Sequence, residues 1–407
     1  MAKVLAFQSL GSTAVGAGAD PGSAVSTAAV PRLLINGRFL VQQATGVQRV
    51  AREIAAEIDA LLDRGELDAD VTLLVPAGRW VQELSLKHIK VETVGRSQGF
   101  VWEQLELPRH LRGDVLLSLG NIAPLRALLR RDLRVAVMIH DVSFLDFPGA
   151  YKLSYRQAHR SLLPLLLRRA SHIFTVSETE RERLLKIEKG IAPRISVARN
   201  GGWSGNAVSP AEPTAPTGPR RYALYVGSLS HRKNFERILA TAIRLTREDD
   251  IDFVFVGETG GILRRPGQVV PHDVAHRIQF LGQINDREHL GRIYAQASVL
   301  VFPSLYEACP LPPLEAAHFG CPVVVSNIPS MWERCGDSVT YCDPQSVDSI
   351  VRATRAVLMA SALDAQISLA EQPVSRTASW AEQARIVCQT LLPHSLRSCL
   401  PESMRVA

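Results

Sequence analysis

The sequence predicts an α/β protein with two doubly wound, Rossmann-like parallel-sheet domains that face a central cleft. The chain has 407 residues, which is long enough for two or three domains with separate cores. Apolar runs of strand length alternate with helix-like segments from about residue 32 to residue 392, and this alternation is typical of parallel sheets. A segment rich in Gly, Ser, Ala, Thr and Pro, residues 201–219, interrupts the alternation once. Two sheets joined by a linker are therefore expected.

The first sheet is predicted from five apolar runs, each about as long as a strand. They are residues 32–36, 71–75, 115–119, 135–139 and 173–176. A helix is expected after the first run, at residues 46–64, because the apolar residues at positions 47, 50, 54 and 58 follow helical spacing. Ser177 is expected to cap a second helix at residues 178–186.

The second sheet is predicted in the same way. Its apolar runs are residues 222–226, 252–256, 278–281, 299–302 and 322–325. Helices are expected at residues 234–247, 286–297 and 311–319, and a last helix at about residues 380–392 stands outside the alternation. The predicted organisation is a disordered leader (1–30), a first Rossmann-like domain (31–205), a linker (206–219), a second Rossmann-like domain (220–375) and a closing helical segment (376–395).

Composition and charge favour a soluble globular protein. Hydrophobic residues make up 46% of the chain and charged residues 21%. No apolar run approaches the roughly 18 to 20 residues that span a bilayer. The net charge is +6, and basic residues cluster at positions 126–134 and 156–169, either as solvated helix faces or as a surface that attracts anionic lipid headgroups. Nucleic acid is disfavoured as a partner, because no aromatic-rich basic stripe accompanies the charge.

The six cysteines, at positions 309, 321, 335, 342, 388 and 399, lie in the last quarter of the chain. No two have the spacing of a metal site, so reduced thiols in the cytoplasm are expected. The first 30 residues have no sustained apolar stretch, which disfavours a secretory signal. Asp68-Ala-Asp70 and Asp250-Ile-Asp252 have the spacing that holds a metal-nucleotide, but both precede predicted strands and are interpreted as turn residues. No metal site is predicted.

Two carboxylates give the strongest functional signal. Glu307 falls at the carboxyl end of the predicted strand 299–302, where open α/β sheets bind their ligands. Glu315 lies one to two turns into the helix that follows. Such a pair can contact two parts of one elongated, hydroxyl-rich ligand; the alternative is a helix-start acid plus a solvated helix acid. Because Pro310, Pro312 and Pro313 lack amide hydrogens, Cys309, Leu311 and the next turn are the donors expected to face a ligand there.

A positive loop follows the first strand of the second domain. Gly227 permits a tight turn and a close approach of the backbone. Arg232 and Lys233 stand just before a predicted helix whose free amides and dipole already favour an anion. An Arg fork and a Lys point charge suit a diphosphate, and the alternative is a solvated surface loop. Neither half has a Gly-x-Gly-x-x-Gly or Gly-x-x-x-x-Gly-Lys-Ser/Thr motif after a strand, which disfavours a dinucleotide dehydrogenase or a P-loop enzyme.

Two positions in the first domain are further candidates. His140 ends the predicted strand 135–139, where it either faces the cleft and bonds to a polar ligand or caps the strand. Gly46, in the run Thr45-Gly-Val-Gln-Arg49, either brings the backbone close to a ligand or belongs to a plain loop.

Together these pieces resemble the family 4 glycosyltransferases of the GT-B fold, over roughly residues 32–392. The carriers are Thr45-Gly-Val-Gln-Arg49, Ile139-His140-Asp141, Thr175-Val-Ser-Glu178, Arg199-Asn200-Gly201, Gly227-Ser-Leu-Ser-His-Arg232-Lys233-Asn234, Pro303-Ser-Leu-Tyr-Glu307, Glu315-Ala-Ala, Gly320-Cys-Pro-Val-Val-Val-Ser326 and Cys335-Gly-Asp337. The combination in this order is specific, whereas no single piece is. Many family members have Glu-Gly-Phe-Gly-Leu where this chain has Glu307-Ala-Cys-Pro-Leu311.

The resemblance implies roles for the domains and for the candidate residues. The first domain would bind the acceptor, the second domain would bind the sugar nucleotide, and the closing helix would cross back to the first domain. Arg232 and Lys233 would neutralise the diphosphate of a sugar nucleotide and the charge that develops on the leaving group. Glu307 would contact hydroxyls of the donor sugar as a positioning residue, and His140 would bond to the same sugar from the first domain. The substrate-binding residues are expected to be Gly46 (near the phosphates or the acceptor), Gly227, Cys309, Pro310, Leu311 and Glu315 (on the ribose).

The implied reaction is transfer of a hexosyl group to a lipid-linked or growing glycan acceptor in surface polysaccharide biosynthesis, for example of lipopolysaccharide. Mannose from GDP-mannose is the expected donor, with retention of anomeric configuration and no metal or other cofactor. The enzyme would be cytoplasmic and peripheral on the inner face of the cytoplasmic membrane. Two alternatives remain: an inactive sugar-nucleotide-binding partner in a glycan-assembly complex, and a two-domain sugar-nucleotide epimerase.

Overall fold

The structure is a computed structural model of the chain. It describes residues 30–43, 45–78, 80–81, 84–113, 115–203, 221–258, 270–364 and 378–397. The predicted leader (apart from its last residue), the predicted linker and Cys399 lie outside these described residues.

The first sheet has seven parallel strands in the order β3-β2-β1-β4-β5-β6-β7. The strands are β1 (Arg32–Asn36), β2 (Asp70–Val75), β3 (Lys90–Thr93), β4 (Val115–Ser118), β5 (Arg134–Met138), β6 (His172–Thr175) and β7 (Ile195–Val197). The strand order reverses between β1 and β4, so a crevice opens beyond their carboxyl ends.

The second sheet has six parallel strands in the order β10-β9-β8-β11-β12-β13. They are β8 (Tyr222–Val226), β9 (Asp252–Val256), β10 (Ile278–Phe280), β11 (Val299–Phe302), β12 (Val323–Ser326) and β13 (Thr340–Cys342). Here the order reverses between β8 and β11. The loops after these two neighbouring strands contain the candidate cations and the first candidate carboxylate.

Helices cover both sheets. They are α1 (Gly46–Asp63), α2 (Gly99–Val101), α3 (Leu125–Leu128), α4 (Ser143–Asp146), α5 (Leu153–Arg169), α6 (Glu178–Ile187), α7 (Phe235–Glu248), α8 (Arg287–Gln296), α9 (Pro312–His318), α10 (Pro329–Cys335), α11 (Val347–Asp364) and α12 (Trp380–Leu391). A π-helical turn, Trp102–Glu106, continues α2, and short 3-10 turns occur at Gly37–Val41, Leu107–His110, Pro148–Ala150, Lys189–Arg194, His231–Lys233 and Ala275–Arg277.

The last helix packs on the first sheet although it follows the second in sequence. Its apolar face joins α1 in the core of the first domain, and the Trp380 Nε1–H donates to the Gly202 carbonyl over 2.8 Å. Gln383 donates to the carbonyl of Ala198 over 2.8 Å. Helix α12 therefore ties the end of the chain to the first domain by burial and by hydrogen bonds.

The predicted pair of doubly wound parallel sheets is confirmed, and every predicted strand begins and ends within one residue of an observed one. Three strands were not predicted: β3, β7 and β13. The residues of β3 are all exposed, so this edge strand shows no apolar run. Strands β7 and β13 have three residues each and no longer apolar run around them, whereas the equally short β10 was predicted because Leu281 extends it. Cysteines 309, 321, 335, 342 and 388, those within the described residues, are free thiols.

Candidate functional site

The loop Gly227–Asn234, here called the positive loop, is fixed by the residues at its two ends. Gly227 has φ +154°, and a Cβ there would lie 2.9 Å from the Tyr225 hydroxyl, so the turn needs a glycine. At the other end Asn234 adopts the left-handed conformation with φ 63°. Its side-chain amide donates to the carbonyls of Pro303 (2.8 Å) and Pro344 (2.6 Å). Sequence reasoning gave Asn234 no role, yet it joins the positive loop to the exit of β11.

Lys233 and Glu307 form a buried ion pair between the positive loop and the turn after β11. Their side chains are 13% and 7% exposed. Burial lowers the pKa of Lys233, and the attraction of Glu307 only partly offsets this effect. The predicted partners therefore meet in one desolvated place, where a charge interacts more strongly than it does in water.

Arg232 lies beside this pair and has donor capacity left over. Its Nη1 donates to the Tyr306 carbonyl over 3.2 Å, while its Nε–H is buried without a hydrogen-bond partner among the described residues. Burial by itself lowers the pKa of Arg232, but the nearby acidic groups Tyr151, Glu307 and Asp141 outweigh it, so the net pKa is raised. A permanently charged guanidinium with an unused N–H suits an anionic oxygen of a ligand.

His140 is buried at the carboxyl end of β5 in the first domain. Its backbone N–H donates to Asn121 Oδ1 over 2.6 Å, and its Nε2 lies 2.7 Å from the Leu119 carbonyl. Because a carbonyl only accepts, Nε2 is the protonated ring nitrogen. Burial lowers the pKa of His140, so the ring is neutral near pH 7 and its Nδ1 is an acceptor. The adjacent Asp141 lies close enough to the positive loop for its charge to favour the charged forms of both cations.

Glu315 is buried in α9 with both of its oxygens engaged. Arg49, from α1 of the first domain, forms an ion pair with Oε1, and the Tyr294 hydroxyl donates to Oε2 over 2.8 Å. Two of the guanidinium nitrogens of Arg49 are buried without a partner among the described residues. The carboxylate predicted to contact a ribose is thus held by a cation that sequence reasoning had not given a role. The run Thr45-Gly-Val-Gln-Arg49 contains Arg49 and was the available signal.

A second contact between the domains centres on Glu180. The sequence Ser177-Glu-Thr-Glu180 has the pattern of a capping box, and Ser177 does accept from the Glu180 N–H over 3.1 Å. The Glu180 carboxylate instead accepts from the Val142 N–H (2.9 Å) and from the Tyr306 hydroxyl of the second domain (2.6 Å). Burial raises the pKa of Glu180 to about 8. A proton-sensitive group therefore joins the two domains.

The remaining predicted positions lie around these contacts. Gly46 opens α1 in an exposed position, and no atom of the described residues lies within 4 Å of the place that a Cβ would take there. Leu311 packs with the core of the first domain, and Cys309 lies half-buried against the same cluster. Pro310 between them is buried. The segment in which this chain differs from many family members is therefore part of the contact between the two domains.

The structure thus brings Arg232, Lys233 and Glu307 together and places Glu315 in a separate, neighbouring contact with the first domain. Over the residues that the structure describes, no group of three or more His, Cys, Asp or Glu side chains is arranged to hold a metal ion. In the same part of the chain, no helix has both the length and the apolar character needed to cross a bilayer.

Two family models match the chain, one on each sheet. The model described as Glycosyltransferase Family 4 matches residues 44–201. The model described as Glycosyl transferases group 1 matches residues 211–371.

Curated relatives match over about half of the chain. The chain is 31% identical to O-antigen chain mannosyltransferase B of Escherichia coli over 227 residues, and this match covers 53% of the chain and 59% of that protein. The chain is 26% identical to O-antigen chain mannosyltransferase RfbU of Salmonella typhimurium over 214 residues, and this match covers 52% of the chain and 58% of that protein. The match thus spans less than two thirds of the length of these relatives.

Solved structures match over most of the chain. Sucrose-phosphate synthase from Thermosynechococcus elongatus superposes with a TM-score of 0.61 at 17% identity and covers 89% of this chain and 94% of that one. HepE of Anabaena, in a complex with UDP-glucose, superposes with a TM-score of 0.56 at 16% identity and covers 89% of this chain and 95% of that one. At these identities the likeness establishes the shared two-sheet architecture.

Proposed function

Because the chain belongs to the family 4 glycosyltransferases and has the GT-B fold, we propose that it moves a hexosyl group from a sugar nucleotide to a glycan acceptor and retains the anomeric configuration. Mannose from GDP-mannose is the proposed donor, since both O-antigen relatives are mannosyltransferases. The UDP-glucose held by HepE makes UDP-sugars the donors to test beside it.

The buried cluster of Arg232, Lys233 and Glu307 is the observation that supports this proposal most strongly. Two adjacent cations at the carboxyl edge of a parallel sheet match the two charges of a diphosphate. In the structure Glu307 neutralises Lys233. When the diphosphate binds, it takes over Lys233, and the Glu307 carboxylate becomes free to accept hydrogen bonds from hydroxyls of the donor sugar.

The same cations would accelerate the reaction. As the bond between the anomeric carbon and the phosphate oxygen breaks, negative charge builds on the diphosphate, and preorganised cations in a desolvated site stabilise it. The acceptor hydroxyl would attack from the face that the diphosphate leaves, and a phosphate oxygen would take its proton. No metal is proposed to take part.

The geometry of His140 limits what it can do in such a reaction. Its Nε2–H is committed to the Leu119 carbonyl, and its ring is neutral because burial lowers its pKa. The remaining nitrogen, Nδ1, accepts a hydrogen bond from a sugar hydroxyl but has no proton to give. His140 is therefore proposed to position the donor sugar.

The acceptor is proposed to be a lipid-linked, growing glycan of a surface polysaccharide. The O-antigen relatives support the kind of acceptor, and the basic clusters at residues 126–134 and 156–169 support docking on anionic lipid. Co-sedimentation with anionic vesicles tests the docking. Binding should weaken as salt is raised, and an absence of binding at low salt would end this part of the proposal.

A thermal-shift screen with a panel of GDP- and UDP-sugars tests donor binding. A ligand that binds the folded state raises the melting temperature, so one donor should produce a clear increase. Lys233→Ala should abolish the increase, whereas Lys186→Ala, which removes an exposed lysine of α6, should leave it intact. An equal increase in Lys233→Ala and the parent would count against the diphosphate site.

A further inference from the structure

A small polar pocket lies at the carboxyl edge of the first sheet, apart from the Arg232, Lys233 and Glu307 cluster. Its volume is about 40 Å³, and its lining includes Asn36 at the end of β1, Leu119 and Gly120 after β4, Gln48 in the first turn of α1, Arg38 and Glu103. A water-sized group needs at least about 10 to 15 Å³ of such space. The pocket therefore admits about three hydroxyl-sized groups, such as one polar edge of a sugar ring.

The wall of the pocket holds one buried carboxylate and one cation that matches it. The Glu103 side chain is 3% exposed. Its Oε1 accepts from Asn36 Nδ2 over 2.7 Å, and its Oε2 accepts from Arg38 Nη1 over 2.5 Å. Because a carboxylate can accept about four hydrogen bonds and a guanidinium has five N–H donors, both groups have capacity beyond this pair. Burial raises the pKa of Glu103, while Arg38 and the hydrogen bond from Asn36 favour its ionised form. With Glu103 ionised, the pair has no net charge.

The pocket lining is adjacent in the chain or by hydrogen bond to residues of both halves of the proposed donor site. Leu119, one of the lining residues, accepts a hydrogen bond from His140 through its carbonyl. Gln48 is followed directly by Arg49, which holds Glu315. A sugar bound in the pocket would thus lie beside the proposed donor sugar, on the side of the first domain.

We propose that this pocket binds the terminal sugar of the acceptor through its hydroxyl groups and selects an uncharged sugar over a phosphorylated one. This inference depends on the proposed function. Hydroxyls can donate to Glu103 and accept from Arg38, so a neutral sugar satisfies both members of the pair. A phosphate would place about −1.5 to −2 charges beside a buried carboxylate whose paired cation is already neutralised, and like charges at short range repel.

Saturation-transfer NMR on the full chain measures this selectivity directly. Methyl α-mannoside and mannose 6-phosphate serve as the neutral and anionic probes, without nucleotide. The parent should bind the methyl glycoside at least about tenfold more tightly than the sugar phosphate. Equal or tighter binding of the sugar phosphate, or no saturation of either probe, would overturn the inference.

Variants of the pocket separate charge from folding. Glu103→Gln should lower the affinity for the methyl glycoside by roughly tenfold and raise the affinity for the sugar phosphate, since it removes the carboxylate and leaves Arg38 unpaired. Gln48→Lys adds a cation at the rim without disturbing the buried pair and should raise only the affinity for the sugar phosphate. Glu92→Gln, on the exposed edge strand β3, should change neither affinity. An unchanged ratio of the two affinities in both pocket variants would refute the role of charge.

A failure of the pocket inference can be distinguished from a failure of the proposed function. The thermal shift caused by sugar nucleotides is read on the same protein samples and reports on the second domain. Donor binding together with a preference for the sugar phosphate refutes the pocket inference alone. Loss of donor binding refutes the proposed function, whatever the sugar probes show.

Discussion

At the scale of single residues, the proposed chemistry depends on charges that are held out of water and are paired. Lys233 and Glu307 neutralise each other. Removing one member of such a pair leaves the other buried and uncompensated, which typically costs about 3–5 kcal/mol. We propose that the pair exchanges partners: a diphosphate replaces Glu307 at Lys233, and hydroxyls of the donor sugar then donate hydrogen bonds to the Glu307 carboxylate.

Glu307→Gln should separate donor binding from turnover. The amide keeps the size of the side chain and leaves Lys233 free for the diphosphate, so the affinity for the sugar nucleotide should be unchanged or higher. Turnover should fall by about 100-fold, because contacts to the donor sugar that strengthen in the transition state are lost. Calorimetric titration and a transfer assay measure the two quantities. Glu288→Gln, an exposed change in α8, is the control, and a loss of affinity as large as that of Lys233→Ala would contradict the assignment.

Glu180 should make the stability of the protein depend on pH. Its pKa is about 8 in the folded protein against an ordinary value of 4.5, so the folded state keeps a proton that the unfolded chain has released. The contribution to stability is full below pH 4.5 and is lost as the pH rises through 8, with a total effect on the order of a few kcal/mol.

Melting temperatures from pH 5 to pH 8 check this expectation. The parent should lose stability over this range relative to Glu180→Gln, which keeps a neutral group that can still pair with Tyr306. Glu182→Gln, an exposed change on the same helix, should behave like the parent. Parallel curves for the parent and Glu180→Gln would show that Glu180 does not titrate in this range.

At the scale of elements, the first turn of α1 reaches the carboxylate that is proposed to bind the nucleotide ribose. Arg49, in that turn, forms an ion pair with Glu315. Arg49→Met should lower the melting temperature of the free protein, because Glu315 loses its cation. The increase caused by a sugar nucleotide should become larger than in the parent, because the ribose no longer competes with Arg49.

Arg52→Met is the matched control for that prediction, since Arg52 lies one turn further along α1 and pairs with Glu53 on the same helix. Its donor-induced increase should equal that of the parent. A smaller donor-induced increase in Arg49→Met would instead mean that Arg49 contacts the donor itself.

Elements with an apolar pattern could be predicted from the sequence, and elements without one could not. Strand β8 and its neighbour β11 were predicted with their observed bounds because both are continuous apolar runs. The exposed edge strand β3 was missed, since a strand at the border of a sheet needs no apolar face. The positive loop was predicted from strand-end position alone, but the left-handed Asn234 that fixes it was not.

At the scale of the whole molecule, the two domains are joined by hydrogen bonds from the first turn of α6, in the first domain, to a carboxylate of the second domain. The Glu333 carboxylate, in α10, accepts from the backbone of Glu178 (2.8 Å) and of Thr179 (2.9 Å) at the start of α6. Arg334, the next residue, donates to the carbonyl of Asn200. A carboxylate is favoured at a helix N-terminus by the free amides and the helix dipole, so this contact stabilises the observed arrangement of the domains.

Glu333→Ala should loosen that arrangement. The free amides of α6 would be left to solvent, so the melting temperature should fall by a few degrees and the radius of gyration in small-angle X-ray scattering should rise. Asp337→Ala, an exposed change just after α10, should leave both values at those of the parent. An unchanged radius of gyration in Glu333→Ala would show that other contacts suffice to hold the two domains together.

Contacts of this kind lie beyond sequence reasoning. Arg49 and Glu315 are 266 residues apart, and nothing in either local pattern indicates that the two will meet. Strand ends reveal where ligands bind in each sheet, but how one sheet is placed on the other depends on packing across the cleft. For that reason the Arg232, Lys233 and Glu307 cluster, which lies within one domain, could be predicted, whereas the partners of Glu180 and Glu315 could not.

Product analysis by proton NMR tests the central claim most directly. The protein is incubated with GDP-mannose and an alkyl mannoside, and the anomeric signals of the products are recorded. We expect a new glycosidic bond with the α configuration of the donor, formed by the parent and absent with Lys233→Ala. A β-linked product would contradict retention, and a sugar nucleotide converted to an epimer without any new glycosidic bond would contradict transfer itself.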